Sequence, residues 1–299
     1  MPRLLRPLPP TLLFAAALLA PAAAAAQDLS AAEGQIVVTG QRPSAEAIES
    51  FVDAALPRRA GESQIARFWA VCPRAFGMLP AQAAATEQRI RAVARAAGVQ
   101  VAGDRCEPNL MVVVTPDKPA FIAAMLQRRP YYFGDVTRAE RRAITDPANP
   151  VAAWHVKGPP RNADGQELHY DSGAGYYVNR TTRPASRIGF AARPQFAAAI
   201  VVIDSDALDG LTITQVADYA AMRTLVASDP ARLGDSAAPT ILRIIDAPMG
   251  AAIPITMTSW DLGVIKSFYA SNPIVSAAST RTEVRRRLGK ELEGKGGRN

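Results

Sequence analysis

The chain has 299 residues, a length that supports one large domain or two small ones with a sizeable core. Its formal net charge of +7 includes +2 from Arg3 and Arg6 and +4 from residues 276–299, so the rest is almost neutral. Nucleic-acid-binding proteins usually carry a basic face on the folded body, and the charge distribution therefore argues against nucleic acid as a partner.

Residues 1–26 have the pattern of a secretory signal peptide. Arg3 and Arg6 form its basic region, and Leu12–Leu19 form its apolar region. Ala24–Ala26 supply the small-residue cleavage signal. The apolar region is too short to span a bilayer, and no later run approaches about 18 apolar residues. We therefore expect export to the periplasm of a Gram-negative bacterium, or secretion, with no transmembrane segment in the mature chain.

Residues 27–61 form a polar, alanine-rich lead that we expect to be flexible apart from a short amphipathic helix at Ser44–Leu56. Within the lead, the segment QIVVTG at residues 35–40 resembles the TonB box of outer-membrane receptors. That resemblance implies a strand that adds to the sheet of a TonB-like periplasmic partner. The alternative is an edge strand of the protein's own sheet. The strand residues are Ile36, Val37, Val38 and Thr39.

Residues 62–275 are predicted to form one globular α+β domain, followed by a basic C-terminal helix and tail at 276–299. Its N-terminal half alternates strands and helices, which indicates a layered βαβ-like arrangement. The helix that begins at Pro80 has proline at its start and Gly98 at its stop. The predicted elements are a strand at Ile65–Val71, a helix at Pro80–Ala97, a strand at Leu110–Thr115 and a helix at Pro119–Arg128.

Two cysteines, Cys72 and Cys106, lie in a chain that we expect to reach an oxidising compartment. Pairing is the usual outcome there. Cys72 follows one predicted strand and Cys106 precedes the next, so βαβ geometry would bring the two together. The alternative is a pair of free buried thiols.

The stretch Val151–Arg187 carries short strand-like pieces broken by Gly and Pro, which indicates hairpins at a sheet edge. The two histidines of the chain, His155 and His169, both fall in this stretch. A hydrolase with His155, His169 and Ser172 as catalytic candidates is therefore an alternative function. Neither a metal site nor a nucleophile elbow follows from the spacing of these residues, and satisfied or exposed histidines explain them equally well.

The centre of the chain is a buried strand that leads into a buried helix. Ala199–Ile203 is a continuous β-branched apolar run, typical of a strand covered on both faces. Thr212 and Gln215 have capping-box spacing, and the helix that follows is apolar on nearly every side. Asp218 and Arg223 lie on this helix without an ionic partner at helical spacing. We therefore expect each to find a partner elsewhere in the fold, a cation or N–H donors for Asp218 and a carboxylate or carbonyls for Arg223.

Beyond this helix, Pro239–Ile245 is predicted as a short helix or strand, and Thr258–Tyr269 as a helix capped by Thr258 and Asp261. Val284–Leu292 is predicted as a basic helix.

The order of strand, turn, helix and closing T-x-x-D helix resembles zincin-like secreted bacterial proteins. Active members of that class carry H-E-x-x-H on the buried helix. Here Tyr219 and Arg223 take the histidine positions and Ala220 the glutamate position. The resemblance implies a C-terminal half on a degenerate zincin-like scaffold around a mixed sheet, without metal or cofactor.

We therefore predict a non-catalytic binding or structural protein of the cell envelope, whose partner is an unknown envelope protein or ligand. The candidate binding residues are Asp218, Tyr219 and Arg223 on the buried helix.

Overall fold

The computed structural model describes residues 43–59, 61–181, 189–248 and 250–296. The predicted signal peptide and the predicted partner strand Ile36–Thr39 lie outside these ranges. No helix within the ranges is both long and apolar enough to cross a membrane.

Seven α-helices and six β-strands occur in the described residues. The helices are α1 (Ala45–Ala55), α2 (Pro80–Ala96), α3 (Lys118–Arg128), α4 (Arg138–Thr145), α5 (Ile213–Leu225), α6 (Ser259–Tyr269) and α7 (Ala277–Gly296). The strands are β1 (Pro73–Phe76), β2 (Leu110–Thr115), β3 (Val151–Asn162), β4 (His169–Asp171), β5 (Tyr176–Val178) and β6 (Ala192–Asp204). This combination of helices and strands confirms the predicted α+β class.

Four strands form one mixed sheet in the order β1–β2–β6–β3, and β4 and β5 form a separate two-stranded sheet. β1, β2 and β6 are parallel, whereas β3 runs antiparallel to β6. Because α2 connects the parallel neighbours β1 and β2, these three elements form the predicted βαβ unit.

The central strand β6 is buried on both faces, as its β-branched sequence predicts. Ala199, Val201 and Ile203 belong to a core layer shared with α1, α2, α5, α6 and α7. Ile200 and Val202 belong to a second layer on the other face, shared with α3 and α4. Successive side chains of a strand point to opposite faces, so one continuous apolar run serves both layers.

The first and last described helices pack against this core. Phe51 of α1 meets Trp260 of α6 edge to face, with ring centres 5.6 Å apart. Leu288 of α7 is fully buried, and Arg281 at the start of α7 donates to the carbonyl of Leu56 at 2.8 Å. Helices in the predicted lead and in the predicted tail thus contribute to the same core as the sheet.

Cys72 and Cys106 form a disulfide, which confirms the predicted pairing and excludes free thiols. Their Cα atoms are 6.0 Å apart and 34 positions apart in sequence. Beside the bond, the N–H of Cys72 donates to Asn109 Oδ1 at 2.7 Å, just before β2 begins. The disulfide and this hydrogen bond together hold the beginnings of β1 and β2 side by side.

The predicted strand at Ile65–Val71 is wrong, because the first strand begins only at Pro73. The earlier segment forms isolated bridges, from Arg67 to Gln195 and from Val71 to Val101. Most of its apolar side chains, though not Trp69, are buried in the core, and the segment does not pair with a strand along its length. The apolar sequence of this segment therefore reflects packing against the core and not strand pairing.

Candidate functional site

The buried helix α5 begins at the predicted capping box. Thr212 Oγ1 accepts the N–H of Gln215 at 3.2 Å, and Gln215 Oε1 accepts the N–H of Thr212 at 3.0 Å. The amide of Gln215 also donates from Nε2 to the carbonyl of Pro254 at 2.8 Å. The cap therefore fastens the distant segment 254–258 to the start of the helix.

Asp218 of α5 is fully buried and bonded to partners outside its own helix. Arg89 of α2 donates from Nε to Oδ1 at 2.7 Å and from Nη2 to Oδ2 at 3.0 Å. Thr256 Oγ1 and the N–H of Met257 donate to Oδ2 at 2.7 and 2.6 Å. The expected tertiary cation and N–H donor are both present, so that hypothesis is confirmed for Asp218.

Asp261 is a second fully buried carboxylate, in the first turn of α6. Thr240 Oγ1 donates to its Oδ1 at 2.5 Å, and the N–H of Ile241 donates to its Oδ2 at 2.9 Å. The N–H and hydroxyl of Thr258 lie 3.0 and 2.8 Å from Oδ2, which completes the predicted capping box. Burial raises the pKa of Asp261 to about 6, although all four of these hydrogen bonds lower it.

The segment 254–258 is thus held at three points. Gln215 holds Pro254, Asp218 holds Thr256 and Met257, and Asp261 holds Thr258. Buried carboxylates need such donors because an unsatisfied charge is strongly destabilising in a dry interior. The segment is therefore fixed along its whole length.

One side of this fixed segment lines a pocket of about 540 Å³. Its walls come from the turns Pro230–Arg232 and Ile241–Arg243, from residues 246–248 and from residues 251–258. The pocket opens to solvent near Ile255, which is 65% exposed. The proline side chains in its walls are Pro230, Pro239, Pro248 and Pro254. The larger aliphatic side chains in its walls are Leu233, Leu242, Ile253 and Ile255.

The pocket has few polar groups, and most of them already make hydrogen bonds within the protein. Arg243 donates from Nη2 to the carbonyls of Gly234 and Ser236 at 3.2 and 2.5 Å. Asp246 is exposed. The hydroxyls of Thr240 and Thr258 lie within hydrogen-bonding distance of Asp261. An apolar cavity with a few polar groups is typical of a small-molecule binding site, and these groups do not form a nucleophile–base pair.

Arg223 and Tyr219 partner each other on α5. Arg223 Nη1 donates to Tyr219 Oη at 2.8 Å, and the guanidinium carbon lies 5.7 Å from the ring centre. The expected carboxylate or carbonyl partner for Arg223 is therefore wrong. Arg223 is half-buried, and its Nε is buried without a hydrogen-bond partner among the described residues, so the Tyr219 hydroxyl satisfies only part of the guanidinium. The binding role of these two residues stays a prediction.

His155 is buried on β3, in contact with Phe68 and Phe196. Its Nε2 lies 2.9 Å from the carbonyl of Thr224, which can only accept, so Nε2 carries the proton. Burial lowers the pKa of His155 to about 3, against the opposing effect of the Thr224 hydrogen bond. The ring is thus held neutral inside the core.

His169 and Ser172 lie elsewhere, exposed on the small β4–β5 sheet and its turn. Within the described residues, no hydrogen bond joins His155, His169 and Ser172, so these three do not form one constellation there. The hydrolase alternative stays a prediction. The same ranges contain no group of three or more His, Cys, Asp or Glu side chains that could hold a metal ion.

Sequence reasoning missed the pocket and the partner of Asp218. Arg89 is 129 positions from Asp218, and no local pattern links the two. The concentration of proline and alanine between Pro230 and Pro254 was the available signal for rigid, apolar walls. No family model, curated protein or solved structure matches the chain.

Proposed function

We propose that this protein is a non-catalytic binding protein that holds an apolar small molecule in the pocket between residues 230 and 258. The observation that supports this proposal is the pocket itself, whose volume of about 540 Å³ falls within the range of roughly 300–1,000 Å³ usual for ligand sites. Aliphatic side chains cover most of its wall, so burial of apolar ligand surface is the main source of affinity.

The pocket is also well fixed before a ligand arrives. Proline has a restricted φ angle and no N–H, so proline-rich walls are stiff and expose few donors. The buried carboxylates of Asp218 and Asp261 hold residues 256–258 in one conformation. A site that is already ordered loses little conformational entropy on binding.

The proposal includes export to the cell envelope. The disulfide between Cys72 and Cys106 supports this part, because disulfides persist mainly in oxidising compartments. In this proposal the partner is the ligand or an envelope protein that delivers it. The degenerate zincin-like scaffold also remains part of the proposal. The support for it is the order of β6, α5 and the helix α6 capped by Thr258 and Asp261, on which the resemblance rests.

Binding of an apolar dye tests the pocket directly. An anilinonaphthalene dye should bind wild-type protein with a large fluorescence increase. Ala252→Phe should weaken binding at least tenfold, because Ala252 lines the pocket at an exposed position and the larger side chain would fill it. Ala85→Phe is the matched control, since Ala85 is exposed on α2 and does not line the pocket.

Circular dichroism and thermal melting should show that both variants fold like the wild type. Equal dye binding by wild type and Ala252→Phe would contradict the proposal. Lipid extracts and small-molecule libraries, screened by thermal shift with the same pair of variants, would then identify the natural ligand class.

A further inference from the structure

A second exposed surface, separate from the apolar pocket, centres on Trp69. This side chain is 46% exposed, whereas Trp154 and Trp260 are 4% and 7% exposed. The guanidinium carbons of Arg161 and Arg193 lie 4.8 and 4.9 Å from the centre of its ring. An exposed indole with two adjacent cations can contact both an apolar face and an anionic group of a ligand.

Arg161 and Arg193 occupy directly paired positions of the neighbouring strands β3 and β6. Like charges at such positions destabilise a sheet. Arg161 is compensated, because it donates from Nη2 to Glu167 Oε1 at 2.8 Å and from Nε to Gln195 Oε1 at 2.7 Å. Its third bond, from Nη1 to the carbonyl of Gly165 at 2.7 Å, fixes the guanidinium in place.

Arg193 has no such compensation. In the part of the chain that the structure describes, neither a hydrogen bond nor an ion pair engages its guanidinium. Burial lowers the pKa of Arg193, and the nearby charge of Arg161 lowers it further. One cation beside Trp69 is therefore available for an external anion.

Asn179 joins the end of the β4–β5 hairpin to the segment that leads into Arg193. Its Nδ2 donates to the carbonyl of Ala191 at 3.0 Å, two residues before Arg193. Its Oδ1 is screened from solvent, so this side chain positions the backbone beside the surface and does not itself contact a ligand.

Exposed tyrosines extend the aromatic surface onto the β4–β5 hairpin. Tyr170 and Tyr177 are 51% and 41% exposed, and their rings meet edge to face at 5.1 Å. The hairpin is joined to the Trp69 region at both ends, through Glu167 on one side and Asn179 on the other. The exposed tyrosines of the hairpin therefore lie on an element that is hydrogen-bonded to the Trp69 region.

We propose that Trp69 and Arg193 form a binding site for an acidic saccharide, a sugar that bears a carboxylate. Trp69 stacks against the C–H face of the sugar ring, and Arg193 pairs with the carboxylate. Arginine suits this role because its planar fork matches the two oxygens of a carboxylate.

The charge balance favours a single anionic group over a polyanion. Nucleic acids are bound through several phosphate contacts, and anionic membranes through clusters of about 4–8 Lys and Arg. Among the residues that the structure describes, Glu167 already pairs with Arg161, which leaves Arg193 as the uncompensated cation beside Trp69. A sugar with one carboxylate on each ring matches this arrangement.

Tryptophan fluorescence provides the test, because Trp69 is the exposed one of the three tryptophans. A short oligogalacturonide should change the emission saturably, and Trp69→Phe should remove that change. Arg193→Gln should weaken binding at least tenfold in titration calorimetry without lowering the melting temperature. Arg232→Gln is the matched control, because Arg232 is an exposed arginine paired only with its sequence neighbour Asp229.

A neutral oligoglucan of the same length should bind at least tenfold more weakly than the oligogalacturonide. Equal binding of the oligogalacturonide by wild type and Arg193→Gln would overturn the proposal. Acetate that binds as tightly as the sugar would also overturn it, in favour of a simple anion site. Binding to phosphatidylglycerol vesicles but not to the sugar would overturn it in favour of a membrane surface. The pocket variant Ala252→Phe should leave saccharide binding unchanged, so the two sites are tested independently.

Discussion

Asp218 and Asp261 hold adjacent parts of the same pocket wall, yet their surroundings differ. Both carboxylates are fully buried, and together they fix Thr256, Met257 and Thr258. Asp218 meets the full charge of Arg89, whereas the donors to Asp261 are hydroxyls and backbone N–H groups. A buried carboxylate can therefore be accommodated either by an ion pair or by neutral donors with a raised pKa.

We expect the largest loss of folding stability from removing the charge of Asp218. Asp218→Asn keeps the shape of the side chain but places an amide donor against the donors of Arg89, Thr256 or Met257. It also leaves Arg89 without its carboxylate. Breaking a buried pair from one side typically destabilises by about 3–5 kcal/mol, and we expect a loss of that size in urea unfolding.

Arg95→Ala is a suitable control for the partner arginine, because Arg95 is exposed on the same helix as Arg89. Arg89→Ala should destabilise about as much as Asp218→Asn, and Arg95→Ala by less than about 0.5 kcal/mol. If Asp218→Asn melted within about a degree of wild type, the described ion pair would not be the main support of the wall.

Local sequence patterns predicted the elements that short-range physics determines. The strand at Leu110–Thr115 has its predicted limits, and the capping boxes at Thr212 and Thr258 form as their spacing indicates. The cysteine pairing was predicted correctly from the expected oxidising compartment, whereas the element order offered for it was wrong, because Cys72 precedes β1 and does not follow a strand.

The predictions that failed concern contacts between residues that are far apart in the chain. β6 extends back to Ala192 because β3 pairs with it beyond the apolar run. Ile65–Val71 has the apolar sequence of a strand because most of its side chains pack into the core, although its backbone pairs only at isolated points. Arg89 could not be assigned to Asp218, because tertiary packing alone brings α2 onto α5. The candidate pocket depends on the same packing.

A second prediction concerns His155, a buried base that lacks a charged partner. The unfolded chain takes up a proton near pH 6.5, whereas burial keeps the folded ring neutral down to about pH 3. Stability due to His155 is therefore present above pH 6.5 and is lost as the pH falls. His155→Gln should thus gain about 3–4 kcal/mol relative to wild type between pH 7 and pH 4.

Urea unfolding of both proteins at several pH values measures this difference directly. His169→Gln is the control, because His169 is exposed on β4 and its removal should not produce the same trend. A constant difference between His155→Gln and wild type from pH 7 to pH 4 would show that the buried ring titrates normally.

The last prediction concerns Asp261. Its contribution to the free energy of unfolding should fall as the pH rises, whereas that of His155 falls as the pH is lowered. Its raised pKa means that the folded state keeps a proton up to about pH 6, while the unfolded state loses it near the ordinary value of 3.8. Stability due to this proton is full below pH 3.8 and is lost as the pH rises through 6. Asp261→Asn removes the titration, so the variant should gain about 2–2.5 kcal/mol relative to wild type between pH 4 and pH 7.

Above pH 7 Asp261→Asn should therefore be destabilised far less than Asp218→Asn, because an amide keeps an acceptor for the N–H groups of Ile241 and Thr258 and avoids the buried charge. Unfolding curves of the two asparagine variants at pH 8, recorded with the wild type, measure this contrast. Equal losses would mean that neutral donors stabilise a buried carboxylate as well as Arg89 does, and the difference between the two sites would then be one of geometry alone.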